Sequence, residues 1–272
     1  MKSIKLMSLG LVTFSAVALG APLAQAADPV ASTNADVKFV EDDTPIDPAK
    51  PEVVDPTKPT EPGKEVDPGG EGNGGNGTKS FNINWVSNFK FGEIKIGSTT
   101  MSAFAAPTTL NWKDGSQATE GLANFLQVTD NRGTNAGWNV AVSGTPFYEL
   151  DETNAPTATE LNGASITLNE AQIVGNTSTP EAANLAPVSV LSSGTDILGT
   201  NAPYTVLNAD AGKGQGTWSL TWGADTDGTT LKQTDGKATA GVQLSVPVTA
   251  QPKANKNYRS TLTWTLQTAP AN

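Results

Sequence analysis

From Phe81 onward, apolar residues recur at every second position of the chain. Phe81, Ile83 and Trp85 alternate with Asn82 and Asn84; Trp138, Val140 and Val142 alternate with Asn139, Ala141 and Ser143. Ile166 and Leu168 alternate with Ser165, Thr167 and Asn169. The same period runs through Trp218-Ser219-Leu220-Thr221-Trp222, through Val242, Leu244, Val246 and Val248, and through Leu262-Thr263-Trp264-Thr265-Leu266. Successive side chains of a strand point to opposite faces, so each segment predicts a strand with one apolar and one Thr/Ser/Asn face. That pattern belongs to antiparallel sheets with one face in water. Gly, Asn, Asp and Pro punctuate the segments as turns. Helix formers are scarce, and residues 170–186 hold one short helix at most. The expected fold class is all-β, an antiparallel β-sandwich or an irregular barrel over residues 81–272.

The preceding stretch has another character. Pro stands at 45, 48, 51, 56, 59, 62 and 68, interleaved with Asp, Glu, Lys and Thr, and residues 69–77 are mostly Gly. Large apolar residues are sparse, so residues 27–80 are expected to be a disordered, acidic Pro/Gly-rich linker: a polyproline-like stalk ending in a flexible joint. At the start, Lys2 and Lys5 precede the apolar run Leu6 to Leu19, and Ala24-Gln25-Ala26 follows. This order predicts a signal peptide over residues 1–26, cleaved after Ala26. No second apolar segment is present, so no transmembrane segment is expected in the mature chain. An LPxTG-type sorting signal is absent as well, which leaves non-covalent retention or release as the expected fates.

Composition removes several kinds of chemistry. The chain has no cysteine and no histidine, which rules out Ser-His-Asp and Cys-His catalysis and the usual zinc sites. Its formal net charge is −10, so nucleic acid is not an expected partner. Glu149, Asp151 and Glu152 cluster beside Tyr148, yet they present no positioned acid–base pair for glycoside cleavage. Asp225-Thr226-Asp227-Gly228 has oxygen ligands at alternate positions but lacks the glutamate of a calcium loop, and is expected to be a hairpin turn. No enzymatic activity, cofactor or metal is expected.

Four motifs then stand in order. Trp85-Val86-Ser87-Asn88-Phe89-Lys90-Phe91-Gly92 opens the β region. Gln127-Val128-Thr129-Asp130-Asn131-Arg132-Gly133 leads into Gly137-Trp138-Asn139-Val140. Gly214 to Gly223 contains Trp218-Ser219-Leu220-Thr221-Trp222, and Tyr258 to Pro270 contains Leu262-Thr263-Trp264-Thr265-Leu266. Together they resemble the WxL-domain family of Gram-positive cell-surface proteins, with Val140 in place of the family's Leu. The resemblance implies secretion to the cell surface and non-covalent attachment to peptidoglycan through the C-terminal domain. It also implies assembly with a membrane-anchored WxL-interacting protein and other surface proteins, and adhesion to a host or environmental surface ligand.

The candidate binding residues are Trp138, Trp218, Leu220, Trp222, Trp264, Leu266, Asp130 and Arg132. An indole face stacks on sugar C–H groups and its N–H donates to a hydroxyl or carbonyl. Strand position nevertheless favours the core for Trp138, Trp218 and Trp264, whereas Trp112 and Trp222 are expected to be partly exposed. Asp130 and Arg132 are expected to pair and hold a turn, with Arg132 alternatively clamping a peptide carboxylate. The strand Tyr258 to Leu266 is an expected edge, with Thr261, Thr263, Thr265 and Gln267 free to bond glycan or protein. Two functions follow: direct wall binding, or a structural subunit held by a membrane-anchored partner without peptidoglycan contact.

Overall fold

A computed structural model describes residues 31–175, 178–199, 202–223 and 240–268. The expected signal peptide and the Asp225–Gly228 turn lie outside the described residues. The chain divides into a unit up to Phe39 and a second from Val40 onward. Residues 31–39 carry no regular secondary structure.

The regular secondary structure of the second unit is almost wholly strand. Four short ones come first: β1 (Glu52–Val53), β2 (Lys64–Asp67), β3 (Gly72–Asn73) and β4 (Gly77–Thr78). Next are β5 (Phe81–Ser87), β6 (Met101–Phe104), β7 (Thr108–Trp112), β8 (Thr119–Leu122) and β9 (Asn124–Asp130). After them run β10 (Trp138–Gly144), β11 (Tyr148–Leu150), β12 (Pro156–Glu160), β13 (Ser165–Leu168) and β14 (Ala171–Gly175). One helical turn, α1 (Pro180–Ala183), starts where the Thr179 hydroxyl accepts the Ala182 N–H. The chain continues through β15 (Val188–Ser189), β16 (Tyr204–Ala209), β17 (Gly216–Trp222), β18 (Val242–Val246), β19 (Tyr258–Arg259) and β20 (Leu262–Gln267). Among the described residues every strand pairing is antiparallel, as the alternation predicts, and no sheet closes into a barrel.

The largest sheet runs β14-β17-β9-β5-β3, with β4 also on β5; a second runs β15-β16-β10-β20 and a third β13-β18-β6. Their inner faces share one core that includes Val128, Trp138, Val140, Trp218, Leu220 and Leu244. Strand β9 is buried along its whole length, on both faces. Leu126 and Val128 face that shared core, whereas Phe125 joins a smaller core with Val53, Val66, Trp85, Leu110 and Leu122.

That smaller core corrects the expected linker. From Pro45, which bridges to Thr78, the Pro-rich stretch belongs to the β unit, and the strands begin at Glu52 rather than Phe81. Strands β1 and β2 pair with each other, β2 pairs with β7, and Val53 and Val66 are fully buried. The buried Gln127 amide bonds both backbone groups of Val54, accepting its N–H and donating to its carbonyl, each at 2.8 Å. Proline is tolerated because these strands are two to four residues long and the prolines fall between them. Isolated, the segment buries too little to hold itself; laid over β5 and β9, it covers a face that would otherwise expose Trp85 and Phe125.

Candidate functional site

The tryptophans are mostly interior. Trp85, Trp138, Trp218 and Trp222 are between 0 and 3 % exposed. Burial of Trp222 contradicts the expected partial exposure. Its strand β17 is paired on both sides, with β9 and β14, so no strand edge brings it to the surface. Leu220 is buried beside it, and Trp112 is half-buried, as expected. Three indole rings pack against glycine backbone at distances that leave no room for a Cβ. An added Cβ at Gly72 would meet Trp85 at 2.3 Å, at Gly175 Trp218 at 2.3 Å, and at Gly214 Trp138 at 2.4 Å. The indole N–H groups of these rings are used internally. Trp138 donates to the Gly214 carbonyl at 3.2 Å, Trp218 to the Gln215 carbonyl at 2.9 Å, and Trp85 to the Ser87 hydroxyl at 3.3 Å.

Asp130 and Arg132 meet as a bidentate pair, Nε to Oδ1 at 2.8 Å and Nη2 to Oδ2 at 2.9 Å. The same carboxylate accepts the Arg132 backbone N–H. The guanidinium lies 3.5 Å from the centroid of the Phe81 ring and reaches the Gly137 carbonyl. Gly137 has φ 77°, and a Cβ there would strike the Ala209 carbonyl at 2.4 Å. The motif therefore staples the turn that delivers Trp138 to the core.

Trp264 and Leu266 behave differently. Both are half-buried on β20, which ends its sheet and pairs only with β10. Trp264, expected in the core, is half-covered because nothing pairs beyond β20 among the described residues. Its ring lies 5.7 Å from that of Trp222 and 6.5 Å, edge-on, from that of Phe89. Thr263, Thr265 and Gln267 alternate with these residues and are exposed, as is Thr261 just before them. One strand thus presents a hydroxyl and amide row outward and an aromatic platform inward.

Beside it runs a groove of about 1290 Å³, walled by residues 88–96 on one side and 252–264 on the other. Its floor is aliphatic, with Ile83, Met101 and Val246 among its residues. Lys253, Lys256 and Arg259 stand on one wall. Lys253 bonds the Glu149 carboxylate at 2.7 Å, and Lys256 lies 3.6 Å from its other oxygen. Lys253 holds the Glu149 carboxyl below its ordinary range, and Lys256 adds to the effect. Glu149 in turn raises Lys253. Asp151 is lowered by hydrogen bonds from Thr153 and Ala155. These carboxylates are held ionised as structural acceptors, whereas a general acid needs its pKa raised. Nothing in the motifs around Trp218 or Trp264 pointed to this groove. Its walls come from segments far apart in sequence, and the alternation of Phe89, Phe91, Ile94 and Ile96 across Gly92 was the one local sign. Among the described residues, no three acidic residues gather to hold a metal ion, and no helix is long and apolar enough to cross a membrane.

A protein-family model described as WxL domain, surface cell wall-binding, matches residues 26–270. It therefore takes in the Pro-rich stretch as well as the region after Phe81. No curated protein and no solved structure matches the chain.

Proposed function

The chain belongs to the WxL family of surface, cell-wall-binding domains, and from that membership we propose that it is exported and held non-covalently on Gram-positive peptidoglycan by the face around β20. The observation that carries this reading is a strand, β20, with a half-open aromatic ring and hydroxyls facing outward: Trp264 beside Thr263, Thr265 and Gln267. Hydroxyls and an amide match glycan and stem-peptide hydrogen bonding, and an indole face suits sugar C–H groups. The six-stranded sheet and its buried tryptophans act as the rigid support. Attraction is short-range, since a chain of net charge −10 gains nothing at a distance from a polyanionic wall.

Purified chain is expected to sediment with bare sacculi, with little loss on adding salt. The variant Thr263→Val/Thr265→Val/Gln267→Leu keeps the strand pattern and is expected to bind about tenfold more weakly, a difference of ~1.4 kcal/mol. Equal sedimentation of the two proteins would move the binding face elsewhere.

A second reading has its own support. Strand β20 ends its sheet, and a free edge accepts a strand from another protein. In that reading the chain is a structural subunit of a surface complex, held by a membrane-anchored WxL-interacting protein, and adhesion to a host or environmental surface is a property of the complex. Failure to sediment with sacculi, together with capture by such a partner, would favour it.

A further inference from the structure

The groove beside β20 has the form of a missing strand. Two of its bordering strands, β19 and β20, end their sheets, and residues of both line it. Its floor is made of core side chains: Ile83, Met101, Phe147, Leu161, Leu244 and Val246, each 4 to 7 % exposed, where most of the core lies at 0 to 3 %. The aliphatic side chains of this floor offer a sugar neither hydrogen bonds nor a ring to stack on, and Phe147 is only 7 % exposed; the half-buried rings of Phe89, Tyr258 and Trp264 stand on the walls. An added strand, by contrast, would pair with a free edge and set alternate side chains on the floor.

The chain carries a segment of matching pattern. In Ala35-Asp36-Val37-Lys38-Phe39-Val40, one strand face would carry Ala35, Val37 and Phe39. Val37, Phe39 and Val40 are 78, 89 and 78 % exposed, the highest values among the large apolar side chains of the described residues. The acidic run Glu41-Asp42-Asp43 follows at once. This run is held in place, since the Ser80 N–H donates to the Asp42 carbonyl at 3.1 Å and the Ser80 hydroxyl to Glu41 at 2.6 Å. The groove wall has the opposite sign: Lys253 and Lys256 share the single carboxylate of Glu149, and Arg259 stands near them.

We propose that Ala35–Val40 of one copy adds as a strand in the groove of a second copy, with Val37 and Phe39 on the aliphatic floor and residues 41–43 facing Lys253, Lys256 and Arg259. Each copy then gives an arm and offers a groove. Such a contact is head-to-tail, and it produces either a closed ring or an open row of molecules. Desolvation of exposed Phe and Val drives it, and the charge pattern sets the direction of the inserted strand. Wall binding through the outward hydroxyl row of β20 does not depend on it.

Sedimentation velocity of the full chain over a wide concentration range tests this, compared with Val37→Asp/Phe39→Asp, whose changes fall on exposed positions. The intact chain is expected to self-associate, and the variant to require about tenfold or more higher concentration to do so. A synthetic peptide of residues 33–43 is expected to bind the variant, to shift its tryptophan emission through Trp264, and to bind less well when Ile96→Asp is also present. Identical association of intact chain and variant overturns the proposal, as does a peptide that does not bind. An intact chain that stays monomeric while the variant binds the peptide also overturns it, because the arm then serves some occupant other than a second copy. Sedimentation with sacculi, measured in parallel, reports on wall binding alone, so the two readings fail separately.

Discussion

Three of the large aromatic rings of the two cores are each matched to a residue that has no side chain. Gly72 beside Trp85, Gly175 beside Trp218 and Gly214 beside Trp138 let backbone approach the indole ring more closely than a methyl group would permit. The Gly-Trp pattern of the motifs is thus only half of each pair, since the glycine that matters lies on a neighbouring segment. Gly72→Ala tests this. The new Cβ meets the Trp85 ring, which is fully buried and stacked 6.3 Å from Phe125, so neither can move aside cheaply. The expected loss is about 1–3 kcal/mol in urea unfolding. Combining it with Trp85→Phe, which shrinks the ring, should recover part of that loss; full additivity would show that the two positions do not meet.

Among the elements, β9 organises the unit. It is central to the largest sheet, it faces a core on each side, and polar side chains on it reach into neighbouring strands. Thr129 bonds Asn84 and Thr217 at 2.8 Å each, and Gln127 bonds Ser219 as well as Val54. Gln127 is therefore the peg on which β1 hangs. Gln127→Leu leaves the Val54 N–H and carbonyl without their partner, and a buried group so stranded costs about 1–3 kcal/mol. Hydrogen exchange should accelerate over residues 51–67 more than over β10 or β16. Uniform acceleration would mean that β1 and β2 are held by something else.

At the scale of the whole molecule, charge is organised to keep carboxylates ionised. Glu149 is lowered chiefly by Lys253, Asp151 by Thr153, Asp42 by Thr44, and Asp114 by Ser116 and then Lys64. A folded pKa below the unfolded value stabilises the fold above the unfolded value, and that stabilisation disappears as pH falls through the folded value. For these groups the unfolded values are 3.8 for Asp and 4.5 for Glu. Lys253 is raised, so its contribution is present below 10.5 and is lost as pH rises through its higher folded value. Urea midpoints are expected to stay level between about pH 5 and 10 and to fall at both ends. Lys253→Met should lower the midpoint at pH 7 more than at an acidic pH low enough to protonate Glu149. An equal effect at the two values would show that the pair contributes nothing.

Side-chain period by itself settled the class of this protein. Alternation every two residues needs no distant partner to be read, so the antiparallel strands from Phe81 onward, the Asp130–Arg132 turn and the short helix before residue 186 were legible in order. Missing cysteine and histidine were equally local facts, and they narrowed the chemistry. Only the tertiary structure decided which side of each strand is covered twice. Trp222, followed by Gly223, is expected from sequence to be partly exposed, but strands from elsewhere in the chain flank β17 and bury it. Residues 45–80 looked too polar and too rich in proline to order themselves, and alone they are. Two buried valines and one glutamine amide join them to β9, because burial and hydrogen bonding act between surfaces brought together in space, and composition counts only what lies along the chain.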